Sequence, residues 1–121
     1  LRNDKQNIIV EKTFDFSLQI ILFTEILRTN HKFELASQLF RSGTSIGANV
    51  KEAQNAESKA DFIHKFKIAA KEADETVYWL EICLKSEVLP SPDEILLKQA
   101  IEIGKIISKI ISSSKRSSFS N

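Results

Sequence analysis

The stretch Gln38-Leu39-Phe40-Arg41-Ser42-Gly43-Thr44-Ser45-Ile46-Gly47-Ala48-Asn49-Val50-Lys51-Glu52-Ala53 decides the fold, because its composition and its periodicity disagree. Ser42, Gly43, Thr44, Ser45 and Gly47 are poor helix formers and on their own predict a loop. Leu39, Ile46, Val50 and Ala53, with Leu35 upstream, nevertheless stay on one arc of a 3.6-residue wheel straight through the glycines. A loop has no reason to preserve that arc, so the stretch is expected to be continuous helix. The small residues then let a neighbouring helix approach closely, at a cost of roughly 1 kcal/mol per interior Gly that packing must return.

The rest of the chain fits around this helix. Few breakers are present, with 3 Gly and 2 Pro in 121 residues, which favours long helices over frequent turns. Residues 1–12 read as an extended lead-in because of the β-branched run Ile8-Ile9-Val10. Helix 1 is expected over about 13–30, with two apolar arcs nearly opposite one another: Phe14, Leu18, Ile21 and Leu22 on one, Phe16, Ile20, Phe23 and Leu27 on the other. A helix that is hydrophobic on two sides should be buried on two sides.

Helix 2 is expected from Glu34 to Ala56, and a polar flank of Gln38, Ser45, Asn49 and Glu52 runs along its edge. Such a flank reads as an inter-helix hydrogen-bond seam before it reads as a ligand or RNA strip. Ser58 and Asp61 resemble a capping box that starts helix 3, which runs to about Val88. One face of that helix carries Phe62, Phe66, Ala69, Ala73, Val77, Leu80 and Leu84 as a core stripe. The other carries Ile68, Glu72, Glu75, Trp79 and Ile82, which has no place in an isolated bundle and is expected to be an oligomer interface. Ser91 as N-cap with Pro92 at the first helical position opens helix 4, over about 92–112. Its inner face is Leu96, Ala100, Ile103, Ile107, Ile110 and Ile111. Residues 113–121 form a Ser-rich tail expected to be flexible. Four helices with short connections predict an all-α, up-down-up-down antiparallel four-helix bundle over 13–112.

Chemistry is sparse. Lys and Arg total 17 against 16 Asp and Glu, which does not advertise a nucleic-acid or membrane partner. His31 and His64 lack the helical spacing of a metal site, so neither a metal nor another cofactor is expected. Gly43 to Gly47 lacks the Gly-Lys-Ser/Thr ending of a phosphate loop. Cys83 is the sole cysteine, has no sequence partner and behaves as a small hydrophobe. No catalytic constellation stands out, so the chain is expected not to be an enzyme and no small-molecule substrate is evident. The absence of an apolar run long enough to span a membrane, of a secretory leader and of paired cysteines points to the cytoplasm. Lys98, Lys105, Lys109, Lys115 and Arg116 are the candidate nucleic-acid contacts; interleaved Glu102 and the lack of an aromatic platform make a solvated face the stronger reading.

The run Ser42 to Ala53, then Ala56 with Ser58-Lys59-Ala60-Asp61-Phe62-Ile63, then Lys71-Glu72-Ala73, Glu75-Thr76 and Tyr78-Trp79-Leu80-Glu81, strongly resembles the bacterial 23S rRNA intervening-sequence proteins. Members of that family are encoded within insertions in large-subunit ribosomal RNA genes or by stand-alone genes. The resemblance implies a four-helix bundle that assembles with itself as a ring-like homopentamer, with no assigned reaction. A distant, markedly basic branch serves retroelements and binds nucleic acid and a reverse transcriptase. The near-neutral charge here departs from that branch, so weak RNA binding is the most that carries over. Two functions remain: a non-catalytic homo-oligomeric scaffold or adaptor, and a structured-RNA binder acting near the ribosome.

Overall fold

The structure, a computed structural model, describes residues 4–117, with side chains described from residue 8 onward. Four helices account for nearly all of it: α1 (Asp4–Thr29), α2 (Phe33–Ala53), α3 (Lys59–Lys85) and α4 (Glu94–Arg116). No strand occurs among the described residues. Neighbours in sequence pack on one another, and α4 closes back on α1.

Helix α2 runs unbroken through its glycines, and the reason lies in α1. A Cβ built on Gly43 would sit 2.7 and 2.8 Å from Cγ1 and Cγ2 of Ile20, and one on Gly47 would sit 3.1 Å from the backbone carbonyl oxygen of Thr13. Gly47 lets the α2 backbone come close to the α1 backbone, and Gly43 leaves room for the Ile20 side chain. The poor helix propensity is thus offset by a close contact that no larger residue would permit.

The N-terminal region departs from the sequence expectation. Residues 4–12 are helical rather than an extended lead-in, and residues 1–3 lie outside the described residues. Ile9 and Thr13 are fully buried and continue the inner row of Phe16, Ile20, Phe23 and Leu27 by another two turns. Thr13 counts as polar in a sequence pattern, but its hydroxyl donates to the Ile9 carbonyl at 2.8 Å and the rest of the side chain can join the core. Burial of Ile9 therefore outweighs the β-propensity of the Ile8-Ile9-Val10 run.

Helix ends follow capping chemistry. At the end of α1, His31 N–H donates to Arg28 O at 2.9 Å and Lys32 N–H to Leu27 O at 2.9 Å, the paired bonds of a Schellman motif. His31 takes the left-handed position, φ 62°. A non-glycine residue there costs about 1 kcal/mol. His31→Gly should therefore raise unfolding free energy by roughly 0.5–1 kcal/mol, partly offset by loss of the edge contact to Phe33. Denaturant titration checks this, and a destabilised variant would show that the ring contact outweighs the backbone strain.

Ser58 caps α3 as expected, accepting from Asp61 N–H at 3.0 Å, while Asp61 accepts from Glu57 N–H at 3.2 Å. Helix α2 stops at Ala53 rather than Ala56, its last three residues passing into bonds of the tighter i to i+3 kind. Helix α4 is capped by Asp93, which accepts from Ile95 N–H at 3.0 Å, and not by Ser91. Pro92 lies buried just outside the helix, and Ser91 Oγ instead reaches the Cys83 carbonyl at 3.4 Å. The far end of α4 extends to Arg116, so the first part of the expected flexible tail is helical, and Lys59 Nζ donates to Ser114 O at 3.2 Å. Residues 118–121 lie outside the described residues.

The core is filled from all four helices by Phe66, Ile20, Leu27, Leu39, Ile46, Leu80, Ile103 and Ile107. On α3, Thr76 and Cys83 are buried where the sequence stripe placed Val77 and Leu84, which are half-buried. Contacts between successive helices and their flanking residues pair Ile20 with Gly43 and Thr13 with Gly47, Ser42 with Thr76 and Glu52 with Lys65, Cys83 with Ser91 just before α4 and Lys59 with Ser114. In each set the first number falls as the second rises.

Candidate interaction surface

Polar chemistry gathers along the α2–α3 edge, but not on the flank the sequence singled out. Ser45 Oγ donates to Arg41 O, and Asn49 Nδ2 donates to Ser45 O at 2.9 Å, both within α2. Gln38 is exposed, and only Glu52 crosses, accepting from Lys65 Nζ at 3.0 Å. The expected seam of Ser45 and Asn49 is therefore corrected. A buried bond joins the two helices one side of it, between the Ser42 and Thr76 hydroxyls 3.0 Å apart, both residues fully buried. The Thr76 hydroxyl also lies within hydrogen-bond distance, 2.7 Å, of the Glu72 carbonyl oxygen. Thr76→Val would leave the Ser42 hydroxyl with only a 3.4 Å approach to Leu39 O and should cost about 1–2 kcal/mol. Adding Ser42→Ala should recover part of it, a coupling that a double-mutant cycle by chemical denaturation reads directly. Purely additive losses would mean the pair is not a functional bond.

Arg41 organises the outer part of this edge. Its guanidinium donates to Glu72 at 3.1 Å and to Glu75, and Trp79 Nε1 donates to Glu75 at 3.0 Å. Hydrogen bonding from Arg41, then from Trp79, holds the Glu75 carboxyl below its ordinary range, and Glu75 in turn raises Arg41. This relocates the argument for an interface at Ile68, Glu72, Glu75, Trp79 and Ile82. All five are half-buried against their own chain, with Trp79 packed on the core, so this stripe is not the surplus apolar surface it looks like in sequence.

The surplus lies on α1. Its inner arc is covered, but Phe14 and Leu22 remain 62% and 61% exposed, and Ile8, Leu18 and Ile26 about half exposed. Between this row and α2 runs an open groove of about 690 Å³ floored by Val10, Phe14, Leu18, Ile21, Phe40 and Ala48. Nothing in the sequence pattern ranked this arc above the one on α3, because both read as a second apolar stripe.

The candidate nucleic-acid residues lie on α4. Lys98, Lys105 and Lys109 are exposed along one outer line, with Lys115 and Arg116 in the last turn. Glu102 is held at 3.1 Å by Lys12 of α1, so its charge is partly neutralised within the bundle. Cys83 is fully buried and its thiol is pushed up to about 11 by that burial, which makes it unreactive in the folded protein. Among the described residues no group of His, Cys, Asp and Glu could hold a metal ion, and no helix is long and apolar enough to cross a membrane.

Comparison with known proteins agrees with this architecture. A crystal structure of a protein of unknown function, from the S23 ribosomal protein family of Bacteroides thetaiotaomicron VPI-5482, superposes with a TM-score of 0.82 at 40% sequence identity. The match covers 89% of this chain and 98% of that one. No curated protein matches. Residues 5–109, which take in all but the outermost ends of the four helices, match the family described as 23S rRNA-intervening sequence protein, and the chain belongs to that family.

Proposed function

We propose that the protein is a non-catalytic, homo-oligomeric scaffold or adaptor of the cytoplasm, built from an up-down-up-down antiparallel bundle. The observation that carries this reading is the exposed apolar row of α1. Five large hydrophobic side chains about half exposed or more, on one helix that is already buried on its opposite side, exceed what an isolated bundle tolerates without a partner. The inverse registers of the cross-helix contacts support antiparallel neighbours. A buried thiol far from its reactive range and carboxylates tied up by Arg41 support the absence of catalysis. The five-membered ring that the family resemblance implies is the assembly to expect. Sedimentation equilibrium at micromolar concentration should return a multiple of the 13.7 kDa chain mass, and a mass of one chain would overturn the reading.

A second reading rests on the Lys98, Lys105 and Lys109 line and on the words ribosomal and 23S rRNA in the names of the relatives. An oligomer would repeat that line around its surface and hold RNA by avidity. Such binding depends on counterion release and should be weak, sequence-independent and largely gone near physiological salt. Fluorescence anisotropy with a structured rRNA fragment at two salt concentrations tests it. No binding at low salt leaves the scaffold alone, and tight, salt-resistant binding favours a dedicated RNA binder.

A further inference from the structure

Gly104 is a glycine with no internal reason to be there. It lies inside α4, where glycine costs about 1 kcal/mol against alanine, yet a Cβ built on it would meet nothing within 4 Å. Gly43 and Gly47 are explained by α1, and Gly104 is not explained by any contact among the described residues. With Ala100 and Ser108 it forms a smooth row at four-residue steps, facing Ala70, Ala73 and Val77 of α3 across a groove of about 550 Å³.

The outer row of α1 has the opposite relief. Phe14, Leu18, Leu22 and Ile26 also step by four, but as large exposed side chains. Rows of this kind are the ridges and grooves by which helices pack. The two features are matched in charge as well. Among the described residues lining each groove, Glu11 and Asp15 with Lys51 flank the one beside the ridge, and Lys105 and Lys109 with Asp74 flank the one between α3 and α4. They also lie on different sides of the molecule, the ridge on the outer side of α1 and the groove between α3 and α4, with α1 and α3 each packed on both α2 and α4.

The geometry points to a head-to-tail joint in which the α1 ridge of one protomer seats in the α3–α4 groove of a second copy of this chain. It rests on the scaffold reading and adds to it the two surfaces that meet. Unlike patches on different faces make a heterologous contact, which propagates from copy to copy and makes a ring where the rotation closes, whereas ridge against ridge would stop at a two-fold dimer. Ile101, 40% exposed at the rim of the groove, would be covered in the joint.

Complementation between two broken surfaces tests this. Leu18→Lys spoils the ridge and leaves the groove intact; Gly104→Trp fills the groove, where the open space admits it, and leaves the ridge intact. Leu22→Lys and Ser108→Trp form a second pair, and helical circular dichroism checks that each variant is folded. The expected result has three parts: the parent sediments as an oligomer, each folded variant alone falls to the mass of one chain, and an equimolar mixture at high concentration yields a two-chain species. That species arises because one intact ridge meets one intact groove and both outer surfaces are blocked. A parent that is itself a single chain would overturn the scaffold reading. An oligomeric parent whose variants stay assembled, or whose mixture stays at one chain, would overturn the head-to-tail joint and leave the scaffold reading standing.

Discussion

Gly43→Leu should lower the unfolding free energy by about 2–3 kcal/mol, toward the upper end of what overpacking a core costs. The first added atom alone would lie 2.7 Å from Cγ1 and 2.8 Å from Cγ2 of Ile20, closer than real Cβ contacts come. Ile20 cannot step aside, because its side chain is fully buried. The substitution gains helix propensity of at most about 1 kcal/mol, which offsets part of the clash and is already included in that figure. For a domain of this size the loss corresponds to a drop in Tm of roughly 6–15 °C. It should be measured at fixed protomer concentration, because assembly raises apparent stability by mass action. A variant that melts with the parent would mean that α1 and α2 can move apart without penalty, and the account of the glycine-bearing helix would fail.

That helix was the part of the fold most legible in the sequence. Its apolar arc survives the glycines, and the need for small residues follows from the arc alone. The Ser58 cap and the inner face of α4 were legible for the same reason, since each depends on residues within a turn or two of one another. What local pattern does not encode is the rotation and placement of neighbouring helices. Three residues turn a helix by about 300°, a net 60°, and that is enough to separate Ser42, bonded across to Thr76, from Ser45, bonded within its own helix. The same limit governs the apolar stripes. Sequence shows a second stripe on α1 and another on α3, but only the packed structure shows that Trp79 is half-buried against the core with its indole N–H bonded to Glu75, while among the described residues Phe14 and Leu22 stay mostly exposed. Thr13 and Thr76 were invisible as core residues because their hydroxyls are satisfied by carbonyls one turn back, a bond that polarity scales do not register.

Cys83 offers the largest measurable effect. In the native protein its sulfur is fully buried, and burial holds the thiol at about 11, so at neutral pH it is both inaccessible and almost wholly protonated. A thiol reagent can reach it only when the chain opens. When opening and closing are fast against labelling, the observed rate is the free-thiol rate multiplied by the open fraction. For a domain stable by 5 kcal/mol or more, that slows labelling by at least about a thousandfold relative to the unfolded chain. Gly43 lies on α2 and Cys83 on α3, so a shared dependence on global unfolding makes a second, quantitative demand. Gly43→Leu should accelerate Cys83 labelling roughly 30- to 150-fold, since each 1.4 kcal/mol is a factor of ten. Cys83 lies only two residues from the end of α3 at Lys85, and a last turn that opens on its own would label at the same rate in parent and variant. Equal rates would therefore sink the claim that α3 is locked to its end by the core. Labelling of the native parent at the free-thiol rate would contradict the burial itself.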